Sequence, residues 1–159
     1  DPNDELTVVL SHCHFDHVGG LCELPNARVI IQADEWSAAT GASDVAYDRS
    51  LYDLGHDLLR IHGAHDLFGD GTVACIPTPG HTCGHQSMRV VTAGGPVILT
   101  ADACYFSHTL DDGVLPPFAS DFDQQRASLD FLRRQRDAGT TIIPGHDTQV
   151  FRRVLTTPL

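Results

Sequence analysis

Four times along this chain an apolar, β-rich run ends on a histidine or an aspartate: 6–10 leads to His12, 73–77 to His81, 97–100 to Asp102, and 140–143 to His146. A sheet holds its strand ends in a fixed array, so polar groups collected there form a rigid site on a packed scaffold. The pattern points to a sheet-based α/β protein with a functional site along one edge.

The first of these ends is the densest. Ser11-His12-Cys13-His14-Phe15-Asp16-His17-Val18-Gly19-Gly20 places three imidazoles and a carboxylate within six residues. Each is a metal-ligand type and each is costly to bury unpaired. His12 and His14 stand two residues apart on an extended segment and point the same way, so both can grip one metal, whereas Asp16 and His17 lie one turn further and suit a second. Cys13 then points to the opposite face, as a small apolar filler of the core. His81 and His146 each follow Pro-Gly, and this repeated context at strand ends marks them as ligands rather than turn histidines. Five histidines (12, 14, 17, 81, 146) and two aspartates (16, 102) suffice for two ions, and a carboxylate such as Asp102 can bridge them at the ~3.5–4 Å of two-metal hydrolytic sites. Nitrogen-rich ligation with some oxygen favours two zinc ions, with iron, cobalt or manganese as alternatives. A hydroxide held between such cations is available at neutral pH.

Around these motifs, β-branched runs predict strands over 27–32, 57–61, 73–77, 87–92, 97–100 and 140–143, with 93–96 as a hairpin turn. A short helix is expected over 33–40 with Asp34 as N-cap, and the clearest helix runs from Asp121 or Asp123 to the stop at Gly139. Residues 42–55 read as a broken helix or a site-lining loop, 106–118 as a surface loop, and 150–155 as a last helical turn or two. One domain over 1–159 accommodates all of this.

Composition narrows the function. Against 10 Lys+Arg stand 21 Asp+Glu, a formal charge of -11, which disfavours nucleic acid and anionic membranes as partners. The basic run Arg133, Arg134 and Arg136 is the solvated face of a helix. Five cysteines without a CxxC pair point to reduced thiols and a cytoplasmic protein, and no apolar run reaches the ~18 residues of a membrane span.

In order and along almost the whole chain, His12-Cys13-His14-Phe15-Asp16-His17, Thr78-Pro79-Gly80-His81, the strand-end Asp102 and Pro144-Gly145-His146 resemble the metallo-β-lactamase superfamily. The resemblance implies an αββα sandwich, with His12, His14 and His81 on one metal, Asp16, His17 and His146 on the other, and Asp102 bridging. Finer features, Gly84-His85-Gln86-Ser87 and a tyrosine three residues after the bridging aspartate, resemble the N-acyl homoserine lactonases. They imply a metal-dependent hydrolase that opens a lactone ring on a small-molecule substrate. Tyr105 would donate a hydrogen bond to the developing oxyanion, and Asp16 would carry a proton to the leaving alkoxide. A glyoxalase II-like thioesterase, an organophosphate-cleaving lactonase and an inactive metal-binding fragment are the alternatives. His85 reads either as support for a ligand or as a surface residue, and Cys104, close enough in sequence to coordinate a metal, reads first as an ordinary buried thiol. The family carries a β-rich segment before its first histidine motif where this chain has only 1–6, so missing N-terminal strands and exposed sheet edges are expected.

Overall fold

The structure, a computed structural model, describes residues 6–41 and 46–156. In chain order it runs β1 (Thr7–Val9), α1 (Phe15–Val18), β2 (Arg28–Gln32), α2 (Ala33–Gly41), β3 (Asp57–Ile61), β4 (His65–Asp66), β5 (Val73–Pro77), β6 (Gln86–Thr92), β7 (Gly95–Leu99), α3 (Ser107–Asp112), α4 (Phe122–Asp137), β8 (Thr141–Ile143) and α5 (Thr148–Thr156). Two sheets form. β1, β2 and β3 make a parallel sheet in that order, and β4 to β8 make a second in sequential order, antiparallel except for the parallel pair β7–β8.

The alternation of side chains along β2 explains how the layers stack. Val29 and Ile31 pack into a cluster with Leu10, Cys13, Val18 and Ala39 of α2, while Ile30 between them packs with Ile61 and with Cys75 of β5. One face of the first sheet is therefore covered by α2 and the other by the second sheet, which is why β2 reads as an unbroken apolar run. The far face of the second sheet carries Ile76, Ile98 and Ile142 against Leu110 of α3 and Leu129 and Leu132 of α4. The four layers are helix, sheet, sheet, helix, the expected sandwich. β1 has no strand partner on its outer side among the described residues.

Local chemistry sets the element ends. Asp121 caps α4, its Oδ1 accepting the N–H groups of Asp123 and Gln124, which selects the first of the two candidate caps. α2 begins at Ala33, one residue before the expected cap, so Asp34 and Glu35 fall in its first turn. The hairpin between β6 and β7 is tighter than expected: Gly95 already pairs with Thr92.

Two expectations need correction. The stretch 106–118 is not all loop, since Ser107–Asp112 forms α3, ended by Gly113 in the left-handed conformation. Its short sequence, Ser-His-Thr-Leu-Asp-Asp, lacks periodicity, and the buried Leu110 together with the Arg136–Asp111 ion pair to α4 supplies the missing drive. The two-residue β4 was not expected either; it exists through pairing with β5. Of the weakly patterned stretch, 42–45 lie outside the described residues, while Arg49–Leu51 forms a helical turn capped by Asp48.

Candidate metal centre

All seven candidate ligands converge along one edge of the sandwich, from both sheets. The loop after β1 delivers His12 and His14, α1 delivers Asp16 and His17, the loop after β5 delivers His81, the turn after β7 delivers Asp102 and the loop after β8 delivers His146. Potential ligand atoms lie within 4.8 Å of one another in three groups: His12, His14 and His81; His12, His17 and Asp102; and Asp16, His17 and His146. Two sets thus sit side by side.

Asp102 lies between them. Its Oδ2 is 3.2 Å from His81 Nε2 and 3.9 Å from His12 Nε2, while its Oδ1 is 3.0 Å from both His17 Nε2 and His146 Nε2. One carboxylate oxygen faces each set. Asp16 Oδ2 flanks the second set, 3.5 Å from His17 Nε2 and 4.0 Å from His146 Nε2.

The donor atoms fit metal ions better than they fit each other. His12 is fully buried, its Nδ1 is hydrogen-bonded to Ser11 Oγ at 3.1 Å, and its Nε2 reaches into the cluster with no hydrogen-bond partner. An unsatisfied nitrogen in a buried site costs on the order of 1–3 kcal/mol, and a cation removes that cost. His81 Nε2 and His14 Nδ1 stand 3.0 Å apart. Tetrahedral ligation at ~2.0–2.1 Å spaces nitrogens at roughly 3.3 Å, so little movement is needed.

Electrostatics prepares the same set for a cation. Burial, then the neighbouring imidazoles, hold His12 well below the ordinary histidine range, and burial pushes His81 down to about 4 and lowers His14. These rings stay neutral at physiological pH and keep a lone pair to give. Burial opposes charge on Asp102 too, but contact with His17, His81 and His146 outweighs it and holds its carboxyl well below the usual range. His17 is raised, because Asp102 and Asp16 outweigh its burial.

A cavity of about 470 Å³ opens above the cluster, with Asp16, Asp102, His81 and His146 at its base and Phe15, Ala46, Phe106 and Phe118 on its walls. Tyr105 also lines it, its hydroxyl 3.4 Å from His81 Nδ1 and its ring packed on His146. Burial, Asp102 and Asp16 all push its phenol up, so the hydroxyl keeps its proton. Cys13 is buried in the core as expected. Cys104 is buried as well, its thiol pushed up to about 12 by burial and its Sγ donating to Phe106 O, an inert thiol outside the cluster.

His85 resolves toward support. It is fully buried, and its Nε2 accepts the N–H of Asp102. Sequence reasoning missed Ser11, whose Oγ touches both His12 Nδ1 and His17 Nδ1. It also missed Gln125, whose Nε2 donates to the carbonyls of Asp102 and Ala103. Gln125 carries no sequence signal, but Gly80 hints at it: a Cβ there would lie 2.1 Å from the Gln125 backbone nitrogen, so the His81 loop can approach α4 only as glycine.

Among the described residues no helix is long and apolar enough to cross a membrane.

Comparison with known proteins agrees with this geometry. A family profile described as Metallo-beta-lactamase superfamily matches residues 1–146. N-acyl homoserine lactonase AttM of Azorhizobium caulinodans is 34% identical over 157 residues, 92% of this chain and 60% of that protein. The Agrobacterium fabrum AttM is 36% identical with the same coverage. A solved N-acyl homoserine lactone hydrolase, with the product N-hexanoyl-L-homoserine bound at its catalytic metal center, superimposes with a TM-score of 0.84 at 30% identity, over 96% of this chain and 60% of its own. The chain thus spans about 60% of the length of the relatives it matches.

Proposed function

Because the chain belongs to the metallo-β-lactamase superfamily, we propose that it is a dinuclear zinc-dependent hydrolase that opens the lactone ring of N-acyl homoserine lactones, the quorum-quenching reaction. The observation that carries this reading is the division of the Asp102 carboxylate, one oxygen toward His12 and His81 and the other toward His17 and His146. His12, His14 and His81 would hold one ion, Asp16, His17 and His146 the other, and Asp102 both. Bound there, the ions would supply Lewis acidity and lower the pKa of a water at the site.

The remaining work falls to the chain. The aromatic walls of the cavity, Phe15, Phe106 and Phe118, offer apolar surface to an acyl chain, and their exposure of 56%, 39% and 57% leaves them free to take one. If His81 Nδ1 carries its proton toward the Tyr105 oxygen, the Tyr105 hydroxyl hydrogen is free to point into the cavity. There it donates to the carbonyl oxygen of the lactone as charge develops on it. The Asp16 carboxylate, 44% exposed and lining the cavity, is placed to receive a proton and pass it to the departing ring oxygen. Binding at the wall and proton transfer at the base thus use different residues.

The glyoxalase II-like and organophosphate readings share the base of the site and differ in what the walls accept. Incubating the zinc-loaded protein with N-hexanoyl and N-decanoyl homoserine lactones, and following acid release in a pH-stat, tests the proposal. Ring opening is expected; hydrolysis of thioesters or phosphotriesters in its absence would redirect the substrate assignment.

A further inference from the structure

Glu35 is an unexpected feature of this fold: a carboxylic acid with no measurable exposure, on the first turn of α2, that makes no ion pair among the described residues. Acids are rarely buried this completely without a reason in their hydrogen bonds. Among the described residues, those of Glu35 all lead to one place. Its Oε1 accepts the N–H of Cys13 at 3.0 Å and the hydroxyl of Tyr47 at 3.3 Å, and its Oε2 accepts the N–H of Gly84 at 3.2 Å. Cys13 lies between His12 and His14, and Gly84 lies three residues after His81. The ring of Tyr47 packs against that of His14, with centroids 4.9 Å apart.

The approach of these parts is close by construction. A Cβ at Gly84 would fall 2.1 Å from the Glu35 nitrogen and 2.5 Å from its Cα, so the loop that follows His81 rests directly on α2. The Glu35 carboxyl then ties the loop of His12 and His14 to the loop of His81, two segments delivered by different sheets. None of its contacts reaches Asp16, His17 or His146.

We infer that Glu35 is a positioning residue for the His12–His14–His81 half of the centre, and that it sets metal affinity there without setting it in the Asp16–His17–His146 half. The physical reason is that a ligand set is only as tight as the frame that fixes its separation, and partners one layer out are typically worth 10–100-fold in affinity. A carboxyl is suited to the task because one side chain can accept from three donors at once. Glutamine keeps the shape but turns one of those acceptors into a donor facing an N–H.

The inference rests on the metal-centre reading above, and zinc binding separates the two. Titration of metal-free protein against a chromophoric chelator should give two tight ions for the wild type. Glu35→Gln should keep one with wild-type affinity and bind the other about 10–100-fold more weakly, with unchanged far-ultraviolet circular dichroism. His146→Ala should weaken the opposite half, so the double variant should retain no tight ion. Cobalt substitution should show the visible band of the nitrogen-rich site lost first in Glu35→Gln. Equal weakening of both ions, or none, overturns the inference while leaving the metal centre standing. A wild type that takes up no metal overturns both. Should Glu35→Gln fail to fold, Tyr47→Phe removes one of the three donors more gently: a smaller loss confined to the same half is expected, and no selective loss overturns the inference.

Discussion

His85 Nε2 accepts the backbone N–H of Asp102 at 3.2 Å, which fixes the proton of the buried ring on Nδ1. From there the donors run in one direction: His85 Nδ1 to Thr78 Oγ1 at 2.9 Å, Thr78 to Ser87 Oγ at 2.8 Å, and Ser87 to the carbonyl of Thr100 at 3.2 Å. Gln125 holds the other side of the same peptide segment through the Asp102 carbonyl. The carboxylate between the two ligand sets is thus aimed by its backbone. Ala101 before it sits at φ 44°, a left-handed conformation that a non-glycine residue keeps only where its surroundings impose it.

This arrangement works only with neutral His85, since an imidazolium has no lone pair to accept with. Burial pushes it down to about 3 from an ordinary 6.5. As pH falls below about 6.5 the unfolded chain takes up a proton that the folded chain refuses, so His85 costs stability progressively down to about pH 3. His17, raised by Asp102, acts in the opposite sense. In metal-free protein, melting temperature should therefore fall less steeply between pH 6.5 and 4 in His85→Gln than in the wild type. Identical slopes would show that His85 does not titrate this way.

Tyr105→Phe removes a hydroxyl and keeps the ring against His146. If that hydroxyl meets the developing charge, kcat for lactone opening should fall on the order of 100-fold. KM and zinc stoichiometry should stay near wild type, and steady-state kinetics with atomic emission on the same sample read all three. A fall in KM-related binding with kcat intact would move Tyr105 to a substrate-holding role.

Removing metal should be visible in stability alone. An ion at 100 times its Kd adds about 2.7 kcal/mol to the folded state, which for a chain of this size corresponds to roughly 5–10 °C. Scanning calorimetry with and without a strong chelator measures it, and a melting temperature indifferent to chelation would contradict a bound metal pair.

Gly80 and Gly20 form a matched test of close packing. An alanine Cβ at Gly80, where φ is 131°, would meet the Gln125 backbone at 2.1 Å, whereas at Gly20 it would meet nothing within 4 Å. Gly80→Ala should destabilise by on the order of 2–4 kcal/mol and Gly20→Ala by under about 0.5 kcal/mol in denaturant unfolding. Comparable losses would mean that the contact with α4 does not constrain the His81 loop.

The strands and ligand candidates were legible because their signals are local. A buried strand declares itself as a β-branched run, and His12, His14, Asp16 and His17 sit within one motif. α3 was not legible, because the burial of its Leu110 against α4 and its ion pair with Arg136 hold it. His85 could be read two ways, since its meaning depends on Asp102, which arrives from the next hairpin. Glu35 was invisible for the same reason: in sequence it is an acid on the first turn of a helix, where acids are ordinary, and only the fold turns it toward two loops.

The ligand groups come from both sheets and from nearly the full length of the chain, His12 near one end and His146 near the other. Each of the three ligand groups joins residues that lie far apart in sequence. Closing loops of this length is slow, so on the proposed reading a complete metal site should form only once the two sheets have docked. The rate of metal uptake during refolding would then time the last assembly step, and a half-folded chain would be spared from trapping metal in the wrong place.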